Sequence, residues 1–187
     1  GGTSLTAKAV CKDCNASQII VISRHGENNY KNINLHYDAE VIINTTPLGM
    51  FPDVENMPDI DLKNFKNLTG VIDCIYNPLK TRLILQAEEG KIPAVGGLKM
   101  LIAQAKKSCE YFCGENIDDQ IIEKIYSVLS KRIRNIALIG MPGCGKSSVG
   151  AVLAEMTGRK IIDIDAKIEE EENLSIPEIF EKYGENY

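Results

Sequence analysis

The sequence predicts an α/β protein in which helices alternate with parallel strands. Short, continuous apolar runs, typical of strands buried in a parallel sheet, occur at residues 18–23, 40–44 and 70–74. Helix-like segments precede and follow these runs, and short polar connections lie between them. Beyond Arg132 the pattern begins again with an apolar strand, a glycine-rich loop and a helix. This renewal indicates a second α/β domain rather than a longer first one.

Local sequence features predict the remaining elements of the first part. Residues 3–12 favour a helix, and the strand at 40–44 is ended by the turn-forming Thr-Pro-Leu-Gly sequence. Further helices are predicted at 81–89, 98–112 and 118–131. The last of these carries apolar residues at the spacing of one helix face: Ile121, Ile122, Ile125, Val128 and Leu129.

The second part begins with a strand at 136–139, followed by a glycine-rich loop and a helix from about Lys146. A further strand is predicted at 160–163. Ser175 and Glu178 have the spacing of a capping box, which predicts the start of the final helix.

The renewed pattern places the domain boundary between residues 1–131 and 132–187. The chain opens with Gly1 rather than Met and stops at Tyr187 in a helical stretch. We therefore expect a fragment in which the first domain is incomplete at its N-terminal end and the second at its C-terminal end.

Composition excludes several classes of protein. The 187 residues are 44% hydrophobic and 25% charged, which is typical of a globular chain. The net charge of −5 argues against a broad nucleic-acid-binding surface. No apolar run reaches the roughly 18 residues that a membrane helix needs, and no signal peptide is evident. We expect a cytoplasmic protein without nucleic-acid or membrane partners.

The six cysteines do not form a disulfide-like pattern and are interpreted as reduced thiols. A four-thiolate zinc site is the alternative. It would use Cys11, Cys14, Cys109 and Cys113. Both pairs fall on predicted helices without a loop to frame a metal, so the sequence favours the first interpretation.

The glycine-rich loop of the second part is the most specific motif. Residues 140–147 fit the pattern G-x-x-x-x-G-K-[ST] between an apolar strand and a helix. In such a loop the backbone N–H groups surround a phosphate, while Lys146 reaches the β- and γ-phosphate oxygens and Ser147 binds Mg²⁺. The motif predicts binding of ATP or GTP.

Two carboxylates follow the next predicted strand. Asp163 and Asp165 are two residues apart, so both can extend beyond its carboxyl end, where α/β sheets bind ligands. One could hold the metal, and the other could orient a substrate hydroxyl for phosphoryl transfer. The alternative is a pair of solvated turn residues.

These motifs, followed by Ile168, Glu169 and the sequence Ser-Ile-Pro-Glu-Ile-Phe, resemble the N-terminal part of shikimate kinase. The resemblance implies an ATP site, an Mg²⁺ site at Ser147 and Asp163, and catalytic roles for Lys146 and Asp165, the latter holding the shikimate hydroxyl. The ATP-binding residues that it implies are Gly143, Cys144, Gly145, Lys146, Ser147 and Ser148.

The first part has the layout of a dinucleotide-binding fold. Gly2, Thr3 and Ser4 lead into a helix, and the following predicted strand ends at Ser23 and Arg24. A guanidinium at this position suits the 2′-phosphate of NADP, because it can donate two parallel hydrogen bonds. An ordinary solvated arginine is the alternative.

Three short sequences in this part, taken in order, resemble shikimate dehydrogenase. They are Asn-Thr-Thr-Pro-Leu-Gly-Met from Asn44, Val-Ile-Asp-Cys-Ile-Tyr-Asn-Pro from residue 71 and Gly-Leu-Lys-Met-Leu from Gly97. The resemblance implies a Rossmann-like NADP-binding domain, with Gly97 near the nicotinamide, and Tyr76 and Gln104 reaching the substrate. The nucleotide would be lined by Asn44, Thr45 and Thr46, with Gly2, Thr3, Ser4, Ser23 and Arg24 completing the cofactor set.

Each of these residues also has a structural interpretation. Asn44 could cap a strand, and Tyr76 could be a half-buried ring. Gln104 lies in an apolar stretch, and an amide buried there would need a partner, which favours a substrate contact.

Together the resemblances imply a fragment of a bifunctional shikimate-pathway enzyme. Its complete form would reduce 3-dehydroshikimate with NADPH and phosphorylate shikimate with ATP and Mg²⁺. We expect the isolated fragment to be inactive. Two alternatives stay open: a nucleotide-binding module without turnover, and another P-loop small-molecule kinase or NTPase with a regulatory first domain.

Overall fold

The computed structural model describes residues 1–141 and 143–184. It divides the chain into two compact units, Gly1–Arg134 and Asn135–Tyr187. The first unit contains a parallel sheet with helices, and the described residues of the second form helices joined by segments without regular secondary structure.

The sheet of the first unit has three parallel strands in the order β1 (Val41–Asn44), β2 (Gly70–Asp73) and β3 (Ala94–Val95). The register aligns Asn44 with Asp73. Two polar residues therefore lie side by side at the carboxyl ends of neighbouring strands. The sequence predicts β1 and β2, whereas β3, at only two residues, is too short to give an apolar signal.

The helices of the first unit lie close to their predicted positions. They are α1 (Gly2–Asp13), α2 (Arg82–Glu89), α3 (Leu98–Cys113) and α4 (Gln120–Ile133), with 3-10 helices at Tyr30–His36 and Leu62–Asn64. Among the described residues, no helix is both long enough and apolar enough to cross a membrane.

The core of the first unit lies between α2 and one face of the sheet. Leu62, Val71, Leu83 and Ala87 form a buried cluster there. Leu83 and Ala87 are four residues apart and so share one face of α2. Burying a side chain such as Leu83 contributes about 1.5–3 kcal/mol. This packing fixes the start of α2 against the end of β2.

A network of charged side chains joins α3 to α4. The Lys106 ammonium lies 2.8 Å from a Glu110 carboxylate oxygen and 2.7 Å from an Asp119 oxygen. Glu110 also pairs with Lys107 and accepts the Ile117 backbone N–H at 3.0 Å. The Lys106 and Glu110 side chains are only 6% and 11% exposed, so this largely buried network holds α3 against the start of α4.

The second unit contains α5 (Lys146–Thr157), α6 (Ile164–Glu172) and α7 (Ile176–Tyr183), and α6 packs against α7. The capping box predicted at the start of α7 is confirmed. The Glu178 carboxylate accepts the Ser175 backbone N–H at 2.8 Å and the Ser175 hydroxyl at 2.6 Å.

Three predicted strands do not form in the described part of the chain. Residues 18–23, 136–139 and 160–163 have no ladder partner and are not in strands. An apolar run favours an extended backbone, but a parallel strand also needs a neighbour and cover on both faces. Exposed side chains such as Ile139 and Ile162 show that this cover is lacking.

Candidate nucleotide-binding sites

The carboxyl end of the first unit's sheet holds a buried polar network. Asn44 at the end of β1 is 4% exposed, and Asp73 at the end of β2 is fully buried. The Asn44 amide nitrogen donates to Asp73 Oδ1 at 3.1 Å. This hydrogen bond continues the strand register between the two side chains.

The network extends into the loop after β1. Asn44 Oδ1 accepts the Thr46 backbone N–H at 2.9 Å and the Thr46 hydroxyl at 2.7 Å. The Thr46 hydroxyl oxygen in turn accepts the Leu48 backbone N–H at 3.3 Å. These contacts hold the loop in one shape above the sheet edge, and Thr45 lies half-buried in its middle.

The same network extends from Asp73 to the next segment and to α2. Asp73 Oδ1 accepts the Ile75 backbone N–H at 3.1 Å, and Oδ2 accepts the Thr81 hydroxyl at 2.6 Å. The Thr81 oxygen caps α2 by accepting the Ile84 N–H. Burial raises the pKa of Asp73, while its hydrogen bonds from Thr81, Ile75 and Asn44 oppose the rise.

Gly97 comes close to the end of β2. Its N–H donates to the Ile75 carbonyl at 2.8 Å, and a Cβ on Gly97 would lie 2.2 Å from the Cys74 carbonyl oxygen. Only glycine allows this approach. Gly97 and Tyr76 are therefore placed at the same edge of the sheet, and Tyr76 is 45% exposed.

Gln104 lies exposed on α3. The expectation that its amide is buried among apolar residues is wrong, because the helix turns this position towards solvent while burying Leu98 and Ile102. Its role in binding substrate stays a prediction.

The first turn of α1 carries the predicted phosphate-binding residues. Gly1 is the N-cap, no side chain caps the helix, and no acidic residue lies in the first turn. The uncapped backbone N–H groups and the hydroxyls of Thr3 and Ser4 provide donors that fit an anion. Ser23 and Arg24 are exposed, and the guanidinium of Arg24 has the chemistry that fits a phosphate.

The glycine loop of the second unit leads directly into α5. Gly143 and Gly145 have φ of +74° and +87°, and a Cβ on either would meet no atom within 4 Å. Gly145 is the N-cap of α5, without a side-chain cap. Lys146 Nζ donates to the carbonyls of Gly140 and Met141, both at 2.9 Å. The space beside Gly143 and Gly145 is open, and backbone N–H groups and an ammonium have the chemistry that fits a polyphosphate. Cys144, Ser147 and Ser148 are exposed in this segment.

Asp163 and Asp165 occupy the start of α6. Asp163 is the N-cap, and its Oδ1 accepts the backbone N–H groups of Asp165 at 3.1 Å and Ala166 at 3.4 Å. Asp165 is exposed in the first turn. Hydroxyl and carboxylate oxygens are ligands that Mg²⁺ accepts, so Ser147 and Asp163 have suitable chemistry, but no contact within the described residues joins them.

The alternative zinc site is not formed. All six cysteines are free. No group of three or more His, Cys, Asp or Glu side chains in the described ranges is placed to hold a metal ion. Cys109 and Cys113 are both exposed and lie about one turn apart on α3.

The sequence interpretation omitted two residues at the sheet edge, Asp73 and Thr81. The sequence signal for Asp73 was an acidic residue at the end of an apolar strand, whereas its register with Asn44 is visible only in the structure. The signal for Thr81 was a hydroxyl residue just before an amphipathic helix, which is typical of an N-cap.

Comparison with known proteins assigns relatives to both ends of the chain. Over 145 residues it is 31% identical to shikimate dehydrogenase (NADP(+)) of Clostridium perfringens, covering 71% of this chain and 53% of that protein. The Methanococcus aeolicus enzyme of the same name is 40% identical over 97 residues, which cover 50% of this chain and 35% of the relative. Most of the chain is homologous to shikimate dehydrogenase.

Solved structures agree with this assignment. A chorismate mutase/shikimate 5-dehydrogenase fusion protein from Clostridium acetobutylicum superposes with a TM-score of 0.67 at 31% identity, covering 72% of this chain and 53% of that one. The first unit thus has the Rossmann-like α/β fold of shikimate dehydrogenase.

The C-terminal end has a different relative. Residues 142–187 match the shikimate kinase family model. A shikimate dehydrogenase homologue followed by a shikimate kinase match is consistent with a fusion of the two. The chain spans between about one third and about one half of the length of the dehydrogenases cited above.

Proposed function

We propose that the chain belongs to a bifunctional enzyme that makes shikimate and then phosphorylates it. Residues 1–131 would form the NADP-binding domain of the dehydrogenase, and residues 132–187 the beginning of the kinase. The complete enzyme would reduce 3-dehydroshikimate with NADPH and transfer a phosphoryl group from ATP to shikimate. Because the second reaction consumes the product of the first, one polypeptide would carry two consecutive steps.

The observation that carries the dehydrogenase half is the buried network at the carboxyl end of the parallel sheet. Open α/β sheets bind ligands at this edge. Here Asn44 and Asp73 fix the surrounding loops, with Thr45, Tyr76 and Gly97 at the same edge. The homology to shikimate dehydrogenase (NADP(+)) supports NADP as the ligand of this edge.

In the dehydrogenase half, NADPH supplies the hydride, and the protein binds and orients it. The first turn of α1 would hold the diphosphate through its backbone N–H groups. Arg24 would pair with the 2′-phosphate, and the close approach of Gly97 to β2 would leave room for the nicotinamide. Tyr76 and Gln104 would donate hydrogen bonds to the hydroxyl and carboxylate groups of the substrate.

In the kinase half, the residues from Gly143 to Ser148 would hold the ATP phosphates. Lys146 would exchange its hydrogen bonds to the loop carbonyls for bonds to β- and γ-phosphate oxygens. Ser147 and Asp163 would hold Mg²⁺, which offsets phosphate charge. Asp165 would accept the proton of the shikimate hydroxyl as phosphoryl transfer proceeds.

The cofactor assignment is tested by titrating the 187-residue chain with NADPH and with NADH. We expect NADPH to bind more tightly. Arg24→Gln should weaken NADPH binding about 10- to 100-fold, because a charged hydrogen-bonding partner contributes about 1.5–3 kcal/mol, and should leave NADH binding unchanged.

Lys31→Gln, at another exposed cation of the first unit, is the matched control and should bind both nucleotides like the unsubstituted chain. Equal affinities for NADPH and NADH would contradict the role of Arg24. Absence of binding to either would contradict the dehydrogenase assignment. Binding without any activity in the complete enzyme would favour the nucleotide-binding module.

A further inference from the structure

Asp73 is a buried carboxylate that is held by hydrogen bonds alone. It is fully buried, and in the described part of the chain no Lys, Arg or His forms a salt bridge with it. Its partners are the Asn44 amide, the Ile75 N–H and the Thr81 hydroxyl. A buried charge costs several kcal/mol unless its hydrogen bonds are complete, so these three donors are what make a carboxylate tolerable at this position.

The carboxylate determines which way the Asn44 amide points. Since Asp73 can only accept, the Asn44 NH₂ group must face it and Asn44 Oδ1 must face the loop. That oxygen then accepts both the N–H and the hydroxyl of Thr46. Asp73 therefore determines the shape of the loop through Asn44, without touching it.

We propose that Asp73 is a positioning residue that makes the loop after β1 and the segment after β2 one rigid wall of the nucleotide site. The identity of the ligand rests on the proposed function, whereas the coupling of the two segments does not. Three backbone N–H groups donate to side chains of this wall: Thr46 to Asn44, Leu48 to Thr46, and Ile75 to Asp73.

The network also separates the roles of two adjacent threonines. The Thr46 hydroxyl donates to Asn44 and accepts from Leu48, so it is used within the wall. The Thr45 hydroxyl has no hydrogen bond to any residue that the structure describes, and its side chain is half-buried at the same edge. In this proposal Thr45 contacts the nucleotide, and Thr46 fixes the loop that carries Thr45.

Hydrogen exchange of four individual amides tests the coupling directly: Thr46, Leu48, Ile75 and Ile84. Asp73→Ala should speed exchange at all four by about tenfold or more, because it removes both carboxylate oxygens at the centre of the network. Asp73→Asn keeps one oxygen at the position that serves Asn44 and Ile75. It should restore slow exchange at all four amides, because the Thr81 hydroxyl can accept from the new amide nitrogen and still accept the Ile84 N–H.

Asp61→Ala is the matched control. Asp61 is an exposed carboxylate that accepts only the Lys63 N–H, at 3.0 Å, within the described residues. The substitution should leave hydrogen exchange at the four amides unchanged. Faster exchange spread evenly over the whole unit, including α3 and α4, would show a merely structural role for Asp73 and overturn the proposal. Unchanged exchange at Thr46 and Leu48 in Asp73→Ala would overturn it as well.

If Asp73→Ala does not fold, Asn44→Ala makes the same test more gently, because it removes the bridge and leaves Asp73 with Ile75 and Thr81. It should speed exchange at Thr46 and Leu48 and leave Ile75 and Ile84 slow. The opposite pattern would contradict the proposed order of contacts.

NADPH titration of two isosteric variants tests the assignment of the threonines. Thr45→Val should weaken binding about fivefold or more with the four amides unchanged. Thr46→Val should speed exchange at Leu48 as well as weaken binding. If the unsubstituted chain binds no NADPH, the proposed function fails, while the amide exchange still decides the coupling. Equal effects of both variants on exchange and binding would contradict the separate roles.

Discussion

At the residue scale, the Lys146 side chain stabilises the glycine loop and has a proposed second role in binding phosphate. Its ammonium bridges the carbonyls of Gly140 and Met141 at the foot of the glycine loop. These exposed bonds are exchangeable, because water or phosphate oxygens can replace the carbonyls. A lysine here therefore stabilises the loop and lies where the negative charge of a polyphosphate would be greatest.

Replacing Lys146 by Ala should weaken ATP binding to the 187-residue chain about 10- to 100-fold, since a charge-assisted hydrogen bond contributes about 1.5–3 kcal/mol. Titration calorimetry with ATP measures the change. Lys160→Ala, at an exposed lysine of the same unit, should bind ATP like the unsubstituted chain. ATP affinity that is the same in Lys146→Ala would remove the proposed role.

The sequence predicted which residues lie at the ends of strands better than it predicted their hydrogen-bond partners or their exposure. Asn44 and Gly97 could be singled out because they belong to ordered strings at strand ends. The partnership of Asn44 with Asp73 depends on strand register, which needs both strands at once. The exposure of Gln104 depends on how α3 is rotated against its neighbours, and an apolar stretch alone does not determine that rotation.

At the scale of elements, the network between α3 and α4 is the most strongly charged contact of the first unit. Hydrogen bonds from Lys106, Lys107 and the Ile117 N–H lower the pKa of Glu110 from 4.5 to about 2. The hydrogen bonds that the Lys106 ammonium donates to the Asp119 and Glu110 carboxylates raise the pKa of Lys106. The two shifts favour the charged forms of both groups.

The lowered pKa of Glu110 predicts a specific acid sensitivity. A carboxyl whose pKa falls on folding contributes stability above its unfolded pKa, and that contribution is lost as the pH falls from about 4.5 through about 2. Glu110→Gln should lower the urea midpoint at pH 7 and unfold more like the unsubstituted chain near pH 2. Far-ultraviolet circular dichroism follows the transition.

Glu89→Gln, at an exposed carboxylate at the end of α2, is the control and should unfold like the unsubstituted chain at pH 7. A difference between Glu110→Gln and the unsubstituted chain that stays constant from pH 7 to pH 2 would show that charge is not the cause.

Helices were more predictable than strands for a physical reason. The hydrogen bonds of a helix such as α2 lie within one segment, so spacing and the Thr81 cap suffice. A strand depends on a neighbour that can be far away in the sequence. The runs at 40–44 and 70–74 find one another and pair, whereas the equally apolar run at 18–23 has no ladder in the described residues.

At the scale of the whole molecule, the two compact units present two different sets of polar groups. The first presents hydroxyls, amides and a helix N-terminus suited to a dinucleotide. The second presents a glycine loop suited to a triphosphate. The similarity to shikimate dehydrogenase over most of the chain and the shikimate kinase match at residues 142–187 support the proposal that both units act on the same metabolite.

The most direct test is an assay of the complete protein that contains this chain, purified as one polypeptide, for two shikimate-dependent activities: reduction of NADP⁺ and formation of ADP from ATP. We predict both, with Lys146→Ala abolishing only ADP formation. Reduction of NADP⁺ alone would contradict the kinase half. A protein with neither activity would contradict the proposed bifunctional enzyme.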